Sequence, residues 1–195
     1  MTKAFDFYFD FSSPYTFLAH KKIRKIEMKN SFTANYKPVL LGGLLKLSGV
    51  KANVDVPIKA KYMIRDCKIS AEKNEIKFKF NSYFPIITLN LMRGVLLAED
   101  KKVSKIFIDK VFDAIWVDDL NLNDNKIVEK VLKSLKLDSK NFMTELSNPK
   151  IKEELRKKTD EAFIKGVFGA PTFIVNNKLF WGQDRLDFVL NEIKK

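Results

Sequence analysis

A second cysteine is missing from this 195-residue chain, so Cys67 has no internal partner for a disulfide. His20 is the sole histidine, which excludes a zinc site of ordinary Cys/His composition, and no structural metal is expected. Long hydrophobic runs are missing as well. Lys and Asp break the apolar stretches far short of the roughly 20 residues that cross a bilayer, so no membrane partner is expected. The opening residues MTKAFDFYFD pass directly into a strand pattern, and the expected location is the cytoplasm. No internal repeat or low-complexity linker divides the chain.

What is present suits one domain, since 46% hydrophobic and 12% aromatic residues are ample for a buried core. Lys and Arg number 36 against 24 Asp and Glu, a formal net charge of +12. Clustered cations release counterions from phosphates, so this charge raises the question of nucleic acid. The lysines are instead scattered among acids, as in KNEIKFKF and KIVEKVLKSLKLDSK. The reading is a solvated basic surface with no nucleic-acid partner; polyanion contact and attraction of small anionic substrates are the alternatives.

Residues 5–11, FDFYFDF, predict a strand that ends at Ser12-Ser13-Pro14. Proline fixes a near-helical backbone angle and lacks an amide hydrogen, so Ser13 reads as the N-cap of a helix from Pro14 to about Glu27. SFTANYKPVL predicts a second strand, and strand, helix, strand in this order implies a parallel pair with a right-handed crossover. From about residue 42 to 165 the chain reads helical, with segments at 58–72, 86–99, 126–135 and 151–165. The clearest segment sets Val103, Ile106, Phe107, Val111, Phe112 and Ile115 on one buried face. Strands then return at Thr172–Val175 and Lys178–Trp181, joined by a turn at Asn176-Asn177, and Asp184 is expected to cap a last helix carrying Leu186, Val189, Leu190 and Ile193.

FYFDFSSPYTFLA, VPIKAKYMIRD, VFDAIW and FGAPTFIVNNKLFWGQDRLDFV occur in this order across nearly the whole chain. Together they resemble the 2-hydroxychromene-2-carboxylate isomerase family, relatives of kappa-class glutathione transferases in the DsbA-like branch of the thioredoxin superfamily. The resemblance implies an α/β thioredoxin-like domain spanning residues 1–195. Residues 1–41 and 166–195 would form the thioredoxin-like part and 42–165 a large, mainly helical insertion. It also implies a homodimer that uses glutathione.

Ser13 falls where disulfide oxidoreductases of this superfold carry a cysteine, and no Cys-x-x-Cys is present, which excludes dithiol redox chemistry. A helix N-terminus with a hydroxyl suits a thiolate brought by a ligand, and the resemblance makes Ser13 the residue that stabilises the glutathione thiolate. It implies a cis peptide before Pro171, so that the backbone of Ala170 pairs with the cysteinyl unit as an added strand. Gln183 and Asp184, in a Gly-x-Asp-Arg segment, would hold the γ-glutamyl end. Lys59, in Lys-x-x-Tyr with Asp66 seven residues on, would lie near the glycine carboxylate, and Arg93 would steer a substrate carboxylate. The chain departs from the family at Val50 and Ile87, where relatives carry asparagine, with Asn53 or Asn90 as candidate substitutes. His20 and Cys67 read as packing residues, and Trp116 and Trp181 likewise, with Trp181 near the pocket edge.

The implied activity is reversible addition of a glutathione thiolate to a conjugated aromatic keto acid, as in isomerisation of 2-hydroxychromene-2-carboxylate. A kappa-like transferase or peroxidase acting on other electrophiles is the nearest alternative. A non-enzymatic polyanion-binding protein is the second.

Overall fold

A computed structural model describes residues 3–27 and 32–195. The chain begins with β1 (Lys3–Phe9), α1 (Pro14–Glu27) and β2 (Phe32–Pro38). Seven helices follow: α2 (Leu41–Leu47), α3 (Pro57–Lys73), α4 (Leu89–Asp100), α5 (Ser104–Trp116), α6 (Asn125–Ser134), α7 (Ser139–Glu145) and α8 (Pro149–Ile164). A single 3-10 turn at Asn53–Asp55 precedes α3. The hairpin β3 (Thr172–Val175) and β4 (Lys178–Trp181) and the helix α9 (Leu186–Glu192) close the chain. The sheet order is β2-β1-β3-β4, with β1 parallel to β2 and antiparallel to β3. Asn176 and Asn177 both have positive φ, as a tight two-residue hairpin turn requires.

Strand alternation divides the core. Phe5, Phe7 and Phe9 enter one large cluster with Phe17, Phe112, Trp116, Phe173 and Val189. Tyr8 turns to the other face, against Val39, Leu44, Ala162 and Val167. Each fully buried Phe contributes roughly 2–3 kcal/mol of transfer free energy. Their rings form a chain in which Phe9 meets Phe11 at 5.6 Å and Phe11 meets Phe112 at 4.8 Å. Trp116 donates its indole N–H to the Phe11 carbonyl at 2.9 Å, tying α5 to the segment that leads into α1.

Several boundaries differ from the sequence reading. β1 stops at Phe9 because Asp10 turns inward to accept backbone hydrogen bonds. The expected second strand begins at Ser31, which lies outside the described residues, and ends at Pro38, because the Leu40 N–H is taken by the Thr159 hydroxyl at 3.0 Å. The helix expected from 86 starts only at Leu89, after a cis Phe84–Pro85 peptide. Ile106 is 61% exposed, and Ile108 takes its place on the buried face of α5. α2 and α7 were not anticipated. Two glycines weaken the helical signal of LGGLLKL, and SKNFMTE is a short segment capped by the Asp138 side chain.

Candidate active site

At the end of β1 the chain turns sharply, with the Ser13 N–H donated to the Asp10 carbonyl at 3.3 Å. Pro14 is the first residue of α1, and Ser13 Oγ accepts the Thr16 N–H at 3.1 Å, the geometry of an N-cap. The same hydroxyl donates to the Ala170 carbonyl at 3.2 Å across 157 residues. Ser13 is only 5% exposed. A helix N-terminus and a hydroxyl thus converge on one point, the arrangement that favours an anion able to accept a hydrogen bond.

Ala170–Pro171 is a cis peptide, and it precedes the β3 ladder, which begins at Thr172. The Thr172 hydroxyl donates to the Gly169 carbonyl at 2.7 Å, and the Gly182 N–H donates to the Pro171 carbonyl at 3.0 Å. Gly169 is required here for space, because a Cβ would come within 2.9 Å of the Trp181 indole nitrogen. Trp181 is 53% exposed and meets Phe168 at 5.0 Å with the two rings tilted by 57°, so it borders the loop instead of joining the core.

From Gly182 the chain enters Gln183 and Asp184, which line a groove of about 240 Å³ with Lys22, Lys25 and Asp187. Lys22 donates to both the backbone carbonyl and the side-chain oxygen of Gln183, and burial lowers its pKa. Asp184 does not cap α9. Arg185 occupies the cap position without a side-chain bond to the helix, and the exposed Asp184 carboxylate folds back so that a Cβ on Gly182 would meet it at 2.7 Å. The φ of +115° at Gly182 turns the chain this way.

Lys59 sits exposed in the first turn of α3, on an open groove of about 390 Å³ lined also by Tyr15, Asn53, Ile58, Tyr62 and Met63. Tyr15, two residues past Ser13, connects this groove to the α1 N-terminus. Burial raises the Tyr15 pKa, reinforced by Cys67 and Asp66, so it remains a neutral phenol. Asn53 is therefore placed with Lys59. Asn90 is not: its side-chain oxygen accepts from Arg93 at 3.0 Å on α4. Arg93 has no hydrogen bond to Ser13, Ala170 or Gln183, and its buried Nε lacks a partner. Val50 and Ile87 are 52% and 75% exposed.

His20 and Cys67 are both fully buried. His20 stacks on Phe112 at 4.7 Å, with Nδ1 2.8 Å from the Tyr36 hydroxyl and Nε2 3.0 Å from Asp109. Burial lowers the His20 pKa and raises that of the Cys67 thiol, which makes the thiol a poor nucleophile.

Asp10 is the site residue that the sequence reading did not single out. It is 2% exposed, and its Oδ1 accepts the Ser12 N–H at 2.9 Å and the Thr88 hydroxyl at 2.6 Å. Its Oδ2 accepts the Leu41 N–H at 2.8 Å. Burial pushes its pKa up and these donors pull it back, so the carboxylate is held by the starts of α1, α2 and α4 at once. The acid three residues before Ser13 is plain in the sequence, but neither its burial nor its partner Thr88, 78 residues away, is.

Residues 4–194 match the family model of the DSBA-like thioredoxin domain, and the serine-capped helix beside a cis-proline loop places the protein in that class. A 2-hydroxychromene-2-carboxylate isomerase of Sphingobium xenophagum is 30% identical over 191 residues, 97% of this chain and 97% of that protein. Glutathione S-transferase kappa 1 of Rattus norvegicus is 21% identical over 202 residues, 96% of this chain and 89% of the transferase. A solved 2-hydroxychromene-2-carboxylate isomerase structure has the same fold, with a TM-score of 0.90 at 24% identity over 98% of this chain and 94% of its own. The chain belongs to the 2-hydroxychromene-2-carboxylate isomerase family of DsbA-like thioredoxin-domain enzymes.

Proposed function

We propose that the protein is a glutathione-dependent isomerase acting on conjugated aromatic keto acids of the 2-hydroxychromene-2-carboxylate type. The observation that carries this reading is the Ser13 hydroxyl, which caps α1 and donates to the carbonyl of the residue before the cis-proline. With serine at this position, the reactive sulfur has to come from a ligand. The surroundings fit glutathione: the Ala170 backbone lies beyond the end of the β3 ladder, Tyr15 of α1 lines the groove that carries Lys59, and the Gly182 N–H bonded to the Pro171 carbonyl leads into Gln183 and Asp184.

Glutathione supplies a thiolate that adds reversibly to a conjugated double bond and makes it rotatable. The chain's own residues position and stabilise. The Ala170 carbonyl, which accepts from the Ser13 hydroxyl here, would hold a cysteinyl N–H in its place, and the freed hydroxyl would stabilise an anionic sulfur by donating to it. Such a charge-assisted bond is worth roughly 1.5–3 kcal/mol and lowers the thiol pKa by about one to two units. Lys59 faces the glycine carboxylate, Gln183 and Asp184 the γ-glutamyl end, and Arg93 a substrate carboxylate. The working form is a homodimer in the cytoplasm.

The kappa-class relatives favour a second reading, conjugation of electrophiles or peroxide reduction with the same thiolate. Calorimetric titration with glutathione, together with the thiolate absorbance near 240 nm, tests the shared step. Binding with a band that Ser13→Ala removes is expected. Total free thiol then separates the readings, because isomerisation leaves it unchanged and conjugation consumes it. Absence of both binding and band refutes the enzyme reading, and salt-sensitive retention on nucleic acid indifferent to Ser13→Ala would support a polyanion binder.

A further inference from the structure

The grooves that hold Lys59 and Lys22 carry charged side chains, whereas a cavity of about 170 Å³ among the helices between β2 and β3 has none among its lining residues. Its walls are Leu91 of α4, Phe107 and Val111 of α5, Val131 and Leu132 of α6, and Phe142 of α7, all buried. Exposed Ile87, Asn90, Asn123 and Asn125 form its rim, where it opens to solvent; the Asn90 side chain accepts from Arg93, and Asn123 accepts the Ile87 N–H and donates to the Pro85 carbonyl.

Gly94 helps to keep this space. A Cβ there would meet Phe107 at 2.8 Å and Phe142 at 3.3 Å, so glycine lets both rings lie against α4 instead of being driven off it. The rings are 5.7 Å apart and inclined by 32°, which leaves aromatic surface on one side of the cavity. A cavity of about 150 Å³ lined only by apolar side chains accepts benzene or xenon, and the apolar floor of this one has the same chemistry beneath a rim of exposed Asn side chains. A charged ligand would surrender its hydration with no counter-charge to meet it.

We propose that this cavity is a second binding site, separate from the Lys59 and Lys22 grooves, for one uncharged single-ring aromatic molecule. Ser13, Lys59, Ala170, Pro171, Gln183 and Asp184 do not line it, whereas Asn90 on its rim bonds Arg93, the residue read as steering a substrate carboxylate.

The test uses the whole protein with benzene as probe. Benzene several-fold above its dissociation constant is expected to raise the melting temperature by about 2–4 °C, and the shift should keep rising with the logarithm of benzene concentration. The shift should be the same in Ser13→Ala, which makes it independent of the catalytic reading. Val128→Phe, which adds a ring on the cavity wall, should abolish the shift while keeping the glutathione affinity of the wild type. Crystals of the wild type under xenon provide a measurement that needs no variant, with a xenon peak expected between Leu91, Phe107 and Val131. No concentration-dependent shift together with no xenon peak overturns the proposal, as does a shift that survives in folded Val128→Phe.

Discussion

The sheet-centred part of the molecule and the helical stretch between β2 and β3 dispose of their polar groups in opposite ways. Around the sheet, buried polar groups gather at one end of β1 and β3, where Ser13 links the Asp10 carbonyl to that of Ala170 and the neighbouring Thr172 hydroxyl donates to the Gly169 carbonyl. In the helical stretch the polar groups of α6, α7 and α8 serve as exposed caps, with Asp124, Asp138 and Asn148 each accepting a backbone N–H. Its buried polar side chains, Asn81, Thr88, Ser139 and Thr159, are neutral, and its cavity is lined by no charged residue. Among the described residues the buried acids, Asp10 and Glu192, both lie in the first region. The second supplies walls.

Asp10 is the seam between them, and its removal is expected to have the largest effect. Asp10→Ala strips the acceptor from Ser12, Leu41 and Thr88 together, at a cost of roughly 3–5 kcal/mol. Urea unfolding should show the loss, and glutathione binding should weaken with it because the start of α1 loses its anchor. Thr88→Val, which removes one donor, should cost about a third as much. If Asp10→Ala unfolds within about 1 kcal/mol of the wild type, the two regions are joined by packing alone.

Ser13→Ala sharpens the contrast from the other side. The loss of an N-cap costs about 1 kcal/mol of stability. The catalytic loss should be larger, roughly 10- to 150-fold in kcat/KM, since one charge-assisted bond disappears. Steady-state kinetics beside a melting curve measure both. Equal kcat/KM in the variant would leave Ser13 as a helix cap only.

The same division explains what the sequence made legible. Period-two alternation in FDFYFDF, the Ser-Pro helix start and the Asn-Asn turn are local signals, and each element they predicted is present. The family motifs supplied the fold class and the candidate residues Ser13, Ala170 and Pro171, which the structure brings into contact. Long-range partnerships were not legible. Nothing around residue 88 announces a bond to Asp10, and α2 owes its place to contacts from Asp10 and Thr159 more than to its glycine-rich sequence. Asp184 was misassigned as a cap because a local rule, an acid before an apolar run, ignored the turn imposed at Gly182.

His20 offers a smaller effect with a clean signature, because it is the sole histidine. Its side chain faces Tyr36 of β2, Asp109 and Phe112 of α5, and the Arg24 and Lys21 charges of its own helix. Burial holds its folded pKa below the unfolded value of about 6.5. The unfolded chain therefore takes up the proton first as pH falls. Stability should be independent of this group above about pH 6.5 and decline below it, by at most about 1.4 kcal/mol per pH unit. His20→Gln should remove this increment from the pH dependence of urea unfolding between pH 7.5 and 5. An unchanged slope would mean that His20 keeps an ordinary pKa.

Lys59 should give the smallest effect, and its size tests how the open groove works. The side chain is exposed at the start of α3, so its attraction for a carboxylate passes through water and is worth about 0.2–1 kcal/mol. Lys59→Ala should thus weaken glutathione binding about two- to fivefold, with kcat unchanged because the thiolate lies elsewhere. Raising the ionic strength to about 1 M, where the screening length shrinks to about 3 Å, should erase the difference between wild type and variant. A loss above about tenfold that persists in high salt would show the groove closing over the ligand and desolvating the pair. The open wall would then behave like the enclosed end at Ser13, and the contrast between solvent-screened and buried polar groups would fail at this residue.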